Sequence, residues 1–91
     1  MGKADSSTVT SVAASATVVT LSSANLERQY MSFYNDSTDT LYIKLGTGAT
    51  TSDYTVKVVT DAFYEAPPAF SGPITGIWDG TNGACLVTEI E

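Results

Sequence analysis

The chain has no histidine, a single cysteine at Cys85, and only four basic residues, Lys3, Arg28, Lys44 and Lys57, against ten acids. Without histidine, and with one thiol, it cannot assemble a Cys/His zinc site, a Ser-His-Asp or Cys-His nucleophile pair, or an intrachain disulfide. A formal charge of −6 on 91 residues opposes binding to a phosphate backbone, because four scattered cations release few counterions. No nucleic-acid partner is expected. No run approaches the ~18 apolar residues needed to span a bilayer, so no membrane partner is expected either. The first ten residues are polar and rich in hydroxyls, unlike a secretory leader, and one reduced cysteine suits a cytoplasm.

What the chain has in quantity is strand formers. Fourteen Thr, eight Val, four Ile, five Tyr, three Phe and one Trp are grouped in short runs between turn residues, the composition of an all-β protein. The length allows one domain with a marginal core, to which burial against a partner would add stability.

Residues 1–7 read as a flexible arm and residues 8–91 as a single antiparallel β-sandwich. Strands are expected at residues 8–12 and 16–21, followed by a helical turn over 22–27 that crosses between sheets. In residues 29–34, Met31 and Phe33 share one face, and Tyr30, Ser32 and Tyr34 the other. The Asn35-Asp36-Ser37-Thr38-Asp39 run bonds readily to its own backbone and predicts a hairpin into residues 40–45. There Leu41, Ile43 and Leu45 alternate with Tyr42 and Lys44, as a half-buried strand requires.

Residues 46–53 form a loop, residues 54–60 and 63–65 two more strands, and Ala66-Pro67-Pro68 marks an edge or crossover, since proline donates no ladder bond. Asp79 to Gly83, with its two X-Gly pairs, predicts a second hairpin between residues 74–78 and 84–90. Seven to eight strands about ten residues apart point to a jelly-roll-like sandwich.

Few side chains carry chemistry. Gly46-x-Gly48 lacks the Gly-Lys-Ser/Thr and the helix of a phosphate loop. Asp36, Asp39, Asp53, Asp61 and Asp79 do not match the spacing of a calcium loop and read as strand terminators. Pairs such as Asp61 with Glu65 or Asp36 with Asp39 show no sign of a shared cleft. No catalytic, cofactor or metal residues are assigned. Asn35-Asp36-Ser37 fits a glycosylation pattern but reads as a turn. Tyr30, Tyr34, Tyr42, Tyr54 and Trp78 are the candidate interface residues, because aromatic rings with one polar tip suit protein contacts and sugar stacking.

The run Phe33-Tyr34-Asn35-Asp36-Ser37-Thr38-x-x-Leu41-Tyr42-Ile43-Lys44-Leu45-Gly46, continued by Ser52-Asp53-Tyr54-Thr55-Val56-Lys57, resembles small structural proteins of tailed-bacteriophage virions. So do Tyr64-Glu65-x-Pro67, Gly72-Pro73-Ile74-x-Gly76-Ile77-Trp78 and Gly83 to Glu89. The resemblance covers about two thirds of the chain, from Gln29 onward. It implies a β-sandwich subunit used in many copies, assembled into a virion in the host cytoplasm, with itself and the major capsid protein or other virion proteins as partners. The role it implies first is a non-enzymatic capsid decoration (cement) protein, a homotrimer that stabilises the shell. A tail, neck or fibre subunit is the alternative within the particle. A carbohydrate-binding module stacking sugars on its tyrosines and Trp78 is the alternative outside it.

Overall fold

A computed structural model describes residues 6–91. Its elements are β1 (Ser7–Ala13), β2 (Val19–Ser22), β3 (Tyr30–Ser37), β4 (Leu41–Leu45), β5 (Val56–Val58), β6 (Phe63–Ala66), β7 (Ile74–Trp78) and β8 (Gly83–Ile90). They form two antiparallel sheets of four, ordered β1-β8-β3-β6 and β2-β7-β4-β5. Only β4 to β5 is a connection within one sheet; every other connection crosses to the opposite one. This strand order is the jelly roll, two Greek keys wound into a sandwich. The expectation of a small all-β, jelly-roll-like sandwich holds.

Alternation builds the core between the sheets. Met31 and Phe33 from β3, Leu41 and Ile43 from β4, Ile74 and Trp78 from β7, and Cys85 and Val87 from β8 all point inward and are buried. The outward sets, Tyr30, Ser32 and Tyr34 on β3 and Tyr42 and Lys44 on β4, fall where the period of two puts them. The edge reading of residues 66–68 also holds: β6 is an outer strand ending at Ala66, and Pro67-Pro68 begins the crossover to β7.

Both predicted hairpins are instead corners. β3 and β4 lie in different sheets, as do β7 and β8. The Asn35 to Ser37 stretch is not a turn; it completes β3, paired with Gly83 to Cys85. The turn residues then bond between corners instead of closing hairpins. Thr38 N donates to the Asn82 carbonyl (3.2 Å), Asn82 N to Asp39 Oδ2 (3.3 Å), and Asn82 Nδ2 to Thr38 Oγ1 (3.1 Å). Of the two glycines in the second corner only Gly83 adopts a positive φ, 116°. A Cβ there would also lie 2.5 Å from the Ser37 Cα, so glycine is required twice over.

The helical turn expected over 22–27 is absent, and none of the described residues is helical. Asn25 Oδ1 accepts the Glu27 N–H (2.9 Å) and the Asn25 carbonyl accepts Arg28 N–H (3.3 Å), which closes a turn before any helix can propagate. The crossing between sheets expected of this segment is present. β5 is shorter than residues 54–60. The expected arm loses its last residue to β1, and Ser6 already accepts a bond from Glu91 N (3.1 Å); residues 1–5 lie outside the described part.

A buried polar cluster closes each end of the sandwich. At the corner end, Asn35 is fully buried, and its Nδ2 donates to the carbonyls of Asp39 and Val58, both at 2.8 Å. Its Oδ1 accepts Ser37 Oγ (2.6 Å) and Trp78 Nε1 (3.3 Å), so all four hydrogen-bonding positions of the amide are filled. At the other end, Arg28 is buried and uses all five N–H groups. Nε meets Glu89 Oε2 (3.1 Å), Nη1 the carbonyls of Phe70 (3.1 Å) and Gly72 (3.0 Å), and Nη2 Ser22 Oγ (3.1 Å) and the Ser23 carbonyl (2.8 Å). One guanidinium thereby ties the β2–β3 and β6–β7 connections to the end of β8.

Candidate functional site

The five aromatic residues proposed as an interface are not one surface. Trp78 is 1% exposed, its ring in the core and its N–H held by Asn35, so it can form neither an interface nor a sugar platform. The cause is phase. Trp78 pairs with the inward Leu41 across β4 and therefore shares its face. The four tyrosines divide between opposite outer faces.

Tyr30 and Tyr34 stand on the outer face of the β1-β8-β3-β6 sheet. Tyr30 donates its hydroxyl to Glu65 Oε2 (2.6 Å) and Tyr34 to Asp61 Oδ1 (3.0 Å). These hydrogen bonds to carboxylates are the main reason both phenols ionise above their usual range, with desolvation second. Tyr42 and Tyr54 lie on the other sheet's outer side, edge to face with centroids 5.0 Å apart. Lys57 Nζ sits 5.7 Å from the centre of the Tyr42 ring, and Lys44 pairs with Asp53 at 2.7 Å. The two lysines of the described residues therefore belong to this second face.

Strand pairing shows what sequence reading missed on the first face. Ser11, Leu86, Tyr34 and Phe63 align in one row across all four strands, in the outward phase. Ile90 lies beside Tyr30, and Val9 occupies the next row on β1. Phe63 is 65% exposed, Val9 63% and Tyr34 36%, so the face presents apolar groups rimmed by Asp61 and Glu65. In β8 both phases carry apolar residues, Leu86 and Ile90 outward against Cys85 and Val87 inward, so alternation alone could not separate them.

The acids do not gather. Among the described residues no three of His, Cys, Asp and Glu come together as a metal site. Asp53 is paired with Lys44, Asp61 holds Tyr34, and Asp39 holds the second corner. Cys85 is buried, and desolvation pushes its thiol up to about 12. A cleft of about 330 Å³ opens between β1 and the start of the β2–β3 connection, walled by Thr8, Thr10, Ser22, Ser23, Asn25 and Glu89 over an apolar floor. It has no aromatic ring to stack a sugar, and Glu89 is already engaged by Arg28 and Asn25. No buried side-chain nitrogen or oxygen among the described residues lacks a partner, so the interior offers no polar atom free to bind a ligand.

Compared with known protein families, with curated proteins and with solved structures, the chain matches none.

Proposed function

We propose that this chain is a non-enzymatic structural subunit of a tailed-bacteriophage virion, a homo-oligomeric and specifically trimeric decoration protein that binds the assembled head shell and braces it. The observation that carries this reading is the contrast between interior and surface. Among the described residues every buried side-chain nitrogen and oxygen has a hydrogen-bond partner within the protein, while Val9, Tyr34 and Phe63 stand exposed on one sheet face. A chain built in this way acts through contact area. The resemblance of residues 29–89 to virion proteins supplies the setting. Bracing follows from mass action, since a subunit that binds only the assembled lattice lowers the free energy of that state at every site it fills.

The test is add-back to purified shells lacking the protein. The wild-type chain binds at a stoichiometry comparable to the major shell protein and raises the temperature at which packaged DNA is released. Phe63→Glu, which places a charge on the most exposed aromatic ring of the proposed contact, folds but does not bind. Equal release temperatures with and without bound protein would reject the bracing role, and a copy number of six or three per particle would move the chain to the tail or neck.

A further inference from the structure

A sandwich of this kind has four sheet edges, and three of them are blocked against pairing. β2 is four residues long and its register breaks between Thr20 and Ser22. β5 is three residues long and carries Lys57. β6 is four residues long, carries Glu65 and runs into Pro67-Pro68. Short edges, bulges, charge and proline are the devices by which proteins stop strands adding to a sheet. β1 has none of them. It is seven residues of Ser, Thr, Val and Ala, without proline, glycine or charge, and among the described residues nothing pairs with its outer side.

Its backbone polarity can be read from the ends. The Ser6 carbonyl accepts from Glu91 N and Ala14 N donates to the Gly83 carbonyl, both on the β8 side. Because alternate residues of an antiparallel strand bond to the same neighbour, Ser6, Thr8, Thr10, Val12 and Ala14 face β8. The N–H and C=O groups of Ser7, Val9, Ser11 and Ala13 therefore point outward, into solvent.

We propose that the outer edge of β1 is an interface for the same edge of a second copy, joined antiparallel about a two-fold axis at Thr10. Ser7 then faces Ala13 of the other copy and Val9 faces Ser11. Each of the four facing pairs exchanges two hydrogen bonds, and the two four-stranded sheets become one of eight. Charge selects this occupant. The chain carries −6 overall, and copies repel wherever their acids meet; residues 6–26 contain no ionisable side chain, so this edge can approach itself without that cost. The other three edges do not accept a strand, which leaves β1 as its own complement and makes the contact isologous and closed. A seven-residue ladder, about 24 Å long at ~3.4 Å per residue, buries less than the roughly 1,000 Å² of a stable specific interface, so the association is weak and concentration dependent.

The experiment is sedimentation of the full chain at concentrations up to about 1 mM, where even a weak association is populated. The wild-type mass doubles with concentration. Val9→Pro removes an N–H that points to solvent, not to β8, so it retains the β spectrum and the buried emission of Trp78 while halving the limiting mass. Thr10 faces its own copy across a non-hydrogen-bonded pair with Cα atoms about 4.5 Å apart, so Thr10→Cys forms an intermolecular disulfide on mild oxidation and Thr8→Cys does not. A mass independent of concentration, doubling that survives in folded Val9→Pro, or equal crosslinking at both positions would each overturn the pairing. If another surface makes a trimer, each trimer carries three β1 edges, so wild type grows beyond that trimer with concentration while Val9→Pro stays at the trimer mass. Loss of shell binding with doubling intact refutes only the virion reading.

Discussion

Replacing Asn35 tests whether the corner end of the sandwich is held by one amide. In Asn35→Ala, the Val58 carbonyl and the Trp78 indole N–H lose their side-chain partner inside the protein, and Ser37 Oγ loses an acceptor. A buried polar group left without a partner costs about 1–3 kcal/mol, so two of them cost about 2–6 kcal/mol before the void left by the amide is counted. A 91-residue domain at ~0.05–0.15 kcal/mol per residue has only about 5–14 kcal/mol in total. At the central values, about 4 of about 9 kcal/mol, the variant should lose roughly two fifths of its stability. Trp78 is the only tryptophan and touches the altered site, so urea unfolding followed by its fluorescence reports the change directly, with a midpoint lowered by roughly 2 M at an m-value of about 2 kcal/mol/M.

Asn35→Asp sharpens the test, because it keeps the shape and changes one chemical fact. The oxygen replacing Nδ2 faces two carbonyls at 2.8 Å and repels both unless it carries a proton. Its folded-state pKa is then raised above the unfolded value of ~3.9. A carboxyl shifted upward is least harmful below its unfolded pKa, and the variant loses stability relative to wild type as pH rises from there through the folded value. A loss below about 1 kcal/mol in Asn35→Ala, or a difference between Asn35→Asp and wild type that stays flat from pH 3 to 7, would show that the network does not hold this corner.

Two further outcomes follow from the interior. Arg28→Ala removes the side-chain donor from the Phe70 and Gly72 carbonyls and the cation from the partly buried Glu89 carboxylate, which keeps only Asn25, and should cost about 3–5 kcal/mol in chemical denaturation; Arg28→Lys recovers only part of it, because one ammonium cannot reproduce five donors in a fixed fork. Cys85, buried and pushed up to about 12, is protonated at pH 8 and should react with a thiol reagent only as fast as the sandwich opens, so labelling measured against urea should track unfolding; rapid labelling of the native chain would refute its placement.

The fold was legible where it depends on neighbours in sequence and hidden where it depends on neighbours in space. Leu41, Ile43 and Leu45 could be assigned inward because alternation is a local property, and Pro67-Pro68 could be placed at an edge because a missing donor is local too. The chain does bend at Thr38-Asp39 and between Asp79 and Asn82, inside the two runs of turn residues, although Asn35 to Ser37 belong to β3 and Gly83 to β8. Whether a bend returns to its own sheet or crosses to the other depends on which strand waits at the far end, and that is set by burial of whole faces. The signal for Asn35 was present: the phase that turns Met31 and Phe33 inward continues to Asn35 and Ser37, and a polar residue in phase with a core face marks a buried network. Arg28 left a weaker trace, as the only arginine in the chain, set among the serines and asparagine that share its end of the sandwich. Residue type alone points Trp78 to an interface, whereas its cross-strand pairing with the inward Leu41, a neighbour in space and not in sequence, buries it.

The two clamps and the open edge are parts of one arrangement. When every connection but one crosses between sheets, every strand pairing except β4–β5 joins segments far apart in sequence, and closing such loops carries an entropic cost that slows folding. Asn35 and Arg28 bridge these separations with directional bonds that the observed corner geometry satisfies in full and a slipped register would leave unmade. Slow assembly of such a topology exposes strand edges, and three edges here are protected in the ways such risk demands. Leaving β1 uncharged and regular exposes the chain to unwanted pairing throughout folding. A single lysine at Val9 or Ser11 would remove that hazard at little cost to the sandwich, since both side chains point to solvent. An unprotected edge beside three protected ones is therefore best understood as an edge in use.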